Sequence, residues 1–328
     1  MRTETPADMV KVTVPAFPGS VRLSMPNYTK GEILMRDFKV ITDSCSDLGR
    51  DIRDLFDIGY VRMNIVTDGK EQYASLDWDL YSPKELYDVL RGGKRITTTQ
   101  VPAEEFAACF RDCAAKGQDV LYIGCSSALS GSVNTGAVVA RTVMEENPGM
   151  TIVCVDSLAS SLGEGALTVR AAAMRKEGLG LPEVAAWVKE NRLCFNQFCT
   201  VDTLDYLARA GRVKGAKAFF GNLFGVKPII ISDAKGNNLA TGKAKGRANS
   251  LAAIVGALKE VLTDSASQTI YIAHADCAED AEKLRELVRE QIPCKDIYVN
   301  YMGPIIGASV GPGAVAVFGF GKKVETGA

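Results

Sequence analysis

Val40-Ile41-Thr42-Asp43-Ser44-Cys45-Ser46-Asp47-Leu48 is a short apolar strand running into small polar residues, and the same phrase returns twice. Val120 to Ile123 leads into Ser126-Ser127-Ala128-Leu129-Ser130-Gly131-Ser132, and Ile152 to Val155 leads into Asp156-Ser157 and an Ala-rich helix. Between the first two strands, Pro102 opens a helix whose Phe106, Cys109, Phe110 and Cys113 follow i, i+3, i+4, i+7 spacing. Strand, polar loop and amphipathic helix in repetition is the logic of βαβ units around a parallel sheet, and ligands bind beyond the carboxyl ends of such strands. Asp43, just past its strand, is expected to cap the helix that follows.

From Leu181 the pattern changes. A helix with Pro182 at its start precedes a strand at Phe198 to Val201 and a helix from Asp202 that stops at Gly211. Pro228 to Ser232 and Leu239 to Lys243 read as two strands joined by the turn Asp233-Ala234-Lys235-Gly236. Thr269 to His274 and Asp296 to Tyr301 are strands flanking a helix that bears Leu284, Leu287 and Val288. The expectation is an α/β protein of two domains. Residues 37–178 carry a mostly parallel, Rossmann-like sheet, and residues 179–325 a mixed or antiparallel one. Residues 1–36, with Pro6, Pro15, Pro18 and Pro26 and no apolar core, read as a disordered extension, or as the product of a start codon assigned upstream of Met35.

Composition narrows the function. The 328 residues suit two cores. With 38 Lys and Arg against 39 Asp and Glu, the chain has no excess of basic groups for a nucleic-acid surface. Its nine cysteines include no C-x-x-C pair, which argues against a disulfide framework or a zinc site and fits a cytoplasmic protein. The uncharged stretch from Gly303 to Gly321 contains Pro304, Pro312 and six glycines, a composition unsuited to a helix in lipid.

Catalytic motifs are few. Gly236 to Lys243 has one residue too many between its glycines for a phosphate loop and lacks the hydroxyl residue after the lysine. Gly307-Ala308-Ser309-Val310-Gly311 fits a nucleophile elbow, yet no histidine follows it. Ser126, at a strand-to-helix turn, could use His274, the single histidine, as its base; a serine hydrolase is therefore one reading. The remaining constellation is a set of hydroxyls at loops, Ser44, Thr97 to Thr99, Ser126, Ser127, Ser130, Ser132 and Ser309, the last in a glycine-rich turn. Such groups hold an anion without attacking it.

Six strings taken together resemble the DegV family: VITDSCSDL (40–48), TTTQVP (97–102), SSALSGS (126–132), DTLDYLARAGRV (202–213), GVKPII (225–230) and GASVGPGA (307–314). The resemblance implies a non-catalytic protein that holds one long-chain fatty acid in an apolar tunnel between and within its domains, with no metal or other cofactor. It also implies a partner, an ATP-dependent fatty-acid kinase that phosphorylates the presented carboxylate to an acyl phosphate for phospholipid synthesis. Carried over by motif, the carboxylate-binding residues are Thr98 or its neighbour Thr99, Ser130, and Ser309, which stands with Val310 where family members have His and Thr. Arg212, Lys245 and Arg247 fall at basic positions that face the partner or the phosphate. Phe219, Phe220 and Phe224 are candidate contacts for the tail. A lipid-binding regulator with no kinase partner is the third reading.

Overall fold

The computed structural model describes residues 36–216 and 225–327. The first half of the chain runs through β1 (Phe38–Asp43), α1 (Arg50–Phe56), β2 (Ile58–Val61), β3 (Met63–Thr67), β4 (Lys70–Ala74), α2 (Pro83–Arg91), β5 (Thr97–Thr99), α3 (Ala103–Ala115), β6 (Asp119–Gly124), α4 (Ser132–Glu146), β7 (Ile152–Asp156) and α5 (Leu162–Lys176). Four of these strands form a wholly parallel sheet in the order β2-β1-β6-β7, as the repeated strand and loop phrase requires. Both its faces are covered, so its strands are continuous apolar runs; Val40, Val120, Leu121 and Ile123 are fully buried.

A smaller antiparallel sheet, β4-β3-β5, has no counterpart in the sequence reading. It places Thr97 to Thr99 on a strand instead of a loop. Asp43 also departs from expectation. Helix α1 starts after Gly49 without a side-chain cap, whereas the Asp43 carboxylate is buried and accepts from the amides of Cys45 (2.9 Å) and Cys125 (3.0 Å) and from the Tyr122 hydroxyl (2.7 Å). It ties together the loops that leave β1 and β6.

The second half comprises α6 (Leu181–Asn191), β8 (Phe195–Thr200), α7 (Asp205–Ala210), β9 (Val226–Ser232), β10 (Asn238–Lys245), α8 (Arg247–Val261), β11 (Thr269–His274), α9 (Ala278–Gln291), β12 (Asp296–Tyr301), α10 (Pro304–Val310) and β13 (Val315–Phe320). Its mixed sheet has the order β10-β9-β8-β13-β11-β12, with β11 and β12 parallel and the other neighbours antiparallel. The β9–β10 turn closes where expected. Asp233 accepts from the amides of Lys235 and Asn237, both at 2.9 Å, and Gly236 takes the left-handed conformation (φ 77°) that such a turn demands.

Helix α5 joins the halves. It packs on β1, β2 and β6 of the parallel sheet and on β8, β11 and β13 of the mixed one. A helix that is apolar around its circumference is stable only when buried around it, and twelve of its fifteen residues are buried. Glu164 is one of them. Its Oε1 accepts from Thr42 at 2.8 Å while Oε2 has no partner among the described residues, and burial, reinforced by Asp43, holds its carboxyl well above the usual range.

A carboxyl that stays protonated in the folded chain but ionises in the unfolded one makes stability fall as pH rises above the unfolded value. Glu164→Gln keeps the shape and the Thr42 contact but removes the ionisation. The stability gained by Glu164→Gln over the native chain should therefore grow between pH 5 and pH 8, by up to about 1.4 kcal/mol per pH unit. Denaturation at the two pH values checks this, and an unchanged difference would mean that Glu164 ionises in place.

Candidate functional site

One cavity of about 280 Å³ lies between the two halves and draws its lining from both. The mixed sheet supplies the floor: Cys199 on β8 sits between Ile230 on β9 and Ala316 on β13, and Gln197 sits beside Phe318. Cys45, Met63 and Cys125 form the opposite wall, and Ile305, Ile306 and Val310 of α10 the roof. Met63 is also 3.3 Å from the Cys45 sulfur. Pro304 opens α10 and Gly311 ends it at φ 77°. Gly311 is required there, since a Cβ would drive into the ring of Tyr206.

Helix α10 is held from the first half of the chain. The Tyr87 hydroxyl donates to the Met302 carbonyl at 2.6 Å. Asp47, in the left-handed conformation after β1, accepts from the Gly303 amide (2.7 Å) and the Ser161 hydroxyl (2.6 Å). Burial pushes the Asp47 carboxyl up to about 7, against those two hydrogen bonds, which lower it.

The hydroxyls converge at one end of the cavity. Thr98, on β5 opposite Ile65 of β3, is half-buried, lines the cavity, and has an Oγ1 with no partner among the described residues. Thr99 also lines it, but its hydroxyl donates to Glu71 at 2.6 Å. Ser130 shares a hydrogen bond of 2.9 Å with Ser132, whose hydroxyl in turn accepts from the Val101 amide; that contact fastens the β5 segment to the loop after β6. Ser309 lines the cavity too. It lies in the last turn of α10, not in a glycine-rich turn, and its hydroxyl donates back to Ile305 at 3.1 Å.

Arg212 completes this end, with its Nε donating to the Leu129 carbonyl at 3.2 Å. Arg212, Thr98 and Ser309 also border a second cavity of about 130 Å³, where Lys94, Arg95 and Arg209 add positive charge. The other two basic candidates do not border either cavity. Lys245 is exposed on β10, and Arg247 is bound to Asp280 (2.8 Å) and to the Gly313 carbonyl (2.7 Å). Phe219, Phe220 and Phe224 lie outside the described residues.

The hydrolase pair does not form. Ser126 is fully buried and donates to the Gly236 carbonyl at 2.8 Å, while His274 accepts from the Cys277 amide at 3.4 Å and packs on Tyr301. Ser44 is likewise internal, donating to Ala74 at 2.7 Å. Among the described residues no group of His, Cys, Asp and Glu could hold a metal ion, and no helix is long and apolar enough to cross a membrane. Lining residues such as Gln197, Asn238 and Leu207 are missing from the sequence reading, because a lone amide or leucine in an element carries no sign of which face it occupies.

The same architecture recurs in known proteins. A DegV-family protein from Thermus thermophilus, whose structure is described as showing fatty-acid binding, superimposes with a TM-score of 0.78 at 28% identity, over 88% of this chain and 100% of that one. DegV from Bacillus subtilis, described as a fatty-acid-binding protein, gives 0.74 at 27% identity, over 88% of this chain and 100% of that one. A DegV domain-containing protein of Clostridium perfringens is 38% identical over 291 residues, 89% of this chain and 100% of its own length. The family profile described as "Uncharacterised protein, DegV family" spans residues 37–322, and the chain belongs to the DegV family.

Proposed function

We propose that this protein binds a long-chain fatty acid in the cavity between its halves and presents the carboxylate to an ATP-dependent fatty-acid kinase in the cytoplasm. The observation that carries the reading is a cavity lined by both halves, apolar over much of its floor and roof, whose hydroxyl end shares Thr98, Ser309 and Arg212 with a neighbouring basic cavity. Relatives described as fatty-acid-binding proteins support it. In this reading the unpartnered Thr98 hydroxyl and that of Ser130 donate to the carboxylate, Thr99 and Ser309 border it, and Arg212 supplies the nearest positive charge. Lys245, exposed on β10, is left to contacts with the partner, whereas Arg247 is committed to Asp280 and Gly313. The nine cysteines are all free, as suits a reducing compartment.

The tail dominates affinity. About a dozen methylenes at about 0.8 kcal/mol each give on the order of 10 kcal/mol, whereas each hydrogen bond to a charged head group contributes about 1.5–3 kcal/mol. The hydroxyls thus fix which end of the ligand faces outward. In the kinase reaction a carboxylate oxygen attacks the γ-phosphorus of ATP and ADP leaves, so the protein has only to keep that oxygen accessible. A second reading, a lipid-binding regulator without a kinase, is favoured by Ser309, whose hydroxyl is already committed to Ile305.

Protein purified from a bacterial host should carry an extractable fatty acid visible by native mass spectrometry. Thr98→Ala and Ser130→Ala should each weaken fatty-acid binding about 10- to 100-fold by calorimetry. A protein that neither carries nor accepts fatty acid would refute the reading. With a cognate kinase and ATP, acyl phosphate should form, and Arg212→Ala should slow that transfer by more than it weakens binding. Tight binding without any transfer would leave the regulator reading standing.

A further inference from the structure

The second cavity differs in kind from the first. Lys94, Arg95, Arg209 and Arg212 line it, and among the described residues no carboxylate borders it. Lys94 is paired with Asp68 at 2.6 Å, whereas the three arginines meet no acidic side chain among the described residues. Arg209 donates to the Asp205 backbone carbonyl at 3.2 Å and lies 4.7 Å from the centre of the Tyr206 ring. Arg212 donates to the Leu129 and Ala210 carbonyls. Neutral partners of this kind aim a guanidinium without cancelling its charge. Arg95 has no partner among the described residues.

One carboxylate does not account for three uncompensated arginines. Seated at Thr98 and Ser130, it carries a single negative charge and has Arg212 beside it, which leaves Arg95 and Arg209 unanswered. The two cavities share Thr98, Ser309 and Arg212, so a head group longer than a carboxylate, anchored at that boundary, comes within reach of the other arginines. A phosphate monoester has that length. It carries about 1.5 to 2 negative charges near neutral pH and presents three acceptor oxygens, a form that guanidinium groups bind through paired hydrogen bonds. A cavity of about 130 Å³ admits it, since four water-sized atoms take about 30 Å³ each.

Resting on the placement of the acyl chain proposed above, we propose that the second cavity is a phosphate subsite. The protein then takes up a ready-made single-chain lipid phosphate in preference to the fatty acid itself, with the chain in the large cavity and the phosphate among Arg95, Arg209 and Arg212.

Calorimetry with palmitate, hexadecyl phosphate and inorganic phosphate tests this. The native protein should bind hexadecyl phosphate at least about tenfold more tightly than palmitate, and inorganic phosphate far more weakly than either. Arg95→Ala and Arg209→Ala, both at exposed positions, should each remove most of the advantage of hexadecyl phosphate while palmitate binds as before. Hexadecyl phosphate no tighter than bound palmitate, or an advantage that survives both substitutions, would overturn the proposal with the fatty-acid reading intact. Inorganic phosphate bound as tightly as hexadecyl phosphate would assign the subsite to a free anion and overturn the lipid assignment. Binding of hexadecyl phosphate without palmitate would keep the subsite and remove the fatty-acid reading, and failure of both lipids to bind would remove both.

Discussion

The Asp47 carboxylate receives one hydrogen bond from Ser161 at the head of α5 and another from the Gly303 amide just ahead of α10. Three segments distant in sequence therefore meet at one buried group: the turn after β1, the helix shared by the two sheets, and the helix that roofs the cavity. The backbone is shaped to permit it, with Asp47 at φ 51° and Ser161 at φ 54°, conformations that non-glycine residues hold only when their surroundings compel them. Asn300 adds a third tie by donating to the Asp47 carbonyl at 2.8 Å. The position of α10 over the cavity thus depends on a polar contact with the opposite half of the molecule, and not only on its own apolar face.

The sequence is most legible where one face is buried and turns are chemically marked. Strands β11 and β12 lie at the bounds read from their apolar runs, and Asp233 to Asn237 turn the β9–β10 hairpin as their composition dictates. The small sheet is illegible for the opposite reason. Strand β4 is almost wholly exposed and begins with the charged Lys70 and Glu71, and β5 is three threonines, so neither shows an alternation that burial would impose. Ser309 is misread because Gly307, Gly311 and Gly313 suggest a loop, although Pro304 at the start of α10 and Gly311 at its end mark a short helix.

Of the candidate residues, motif resemblance finds the hydroxyls that meet at the cavity, but it cannot separate Thr98 from Thr99. Strand pairing separates them, because the Thr99 hydroxyl is already engaged by Glu71. Arg247 illustrates the converse. It is a basic side chain in a family motif, yet its guanidinium is bound to Asp280 and Gly313, partners that no local pattern reveals.

The shared helix has a consequence for how the chain reaches this structure. Helix α5 is made midway through synthesis, when the parallel sheet can cover one of its sides and the strands that cover the other do not yet exist. Half of its apolar circumference then waits on β8, β11 and β13, the last of which lies near the carboxyl end. Contacts of such long sequence separation close slowly, and exposed apolar surface in the interval invites association between unfinished chains. The buried Glu164 does not relieve that surface, because its carboxyl bonds Thr42 of the parallel sheet, the sheet that is made first.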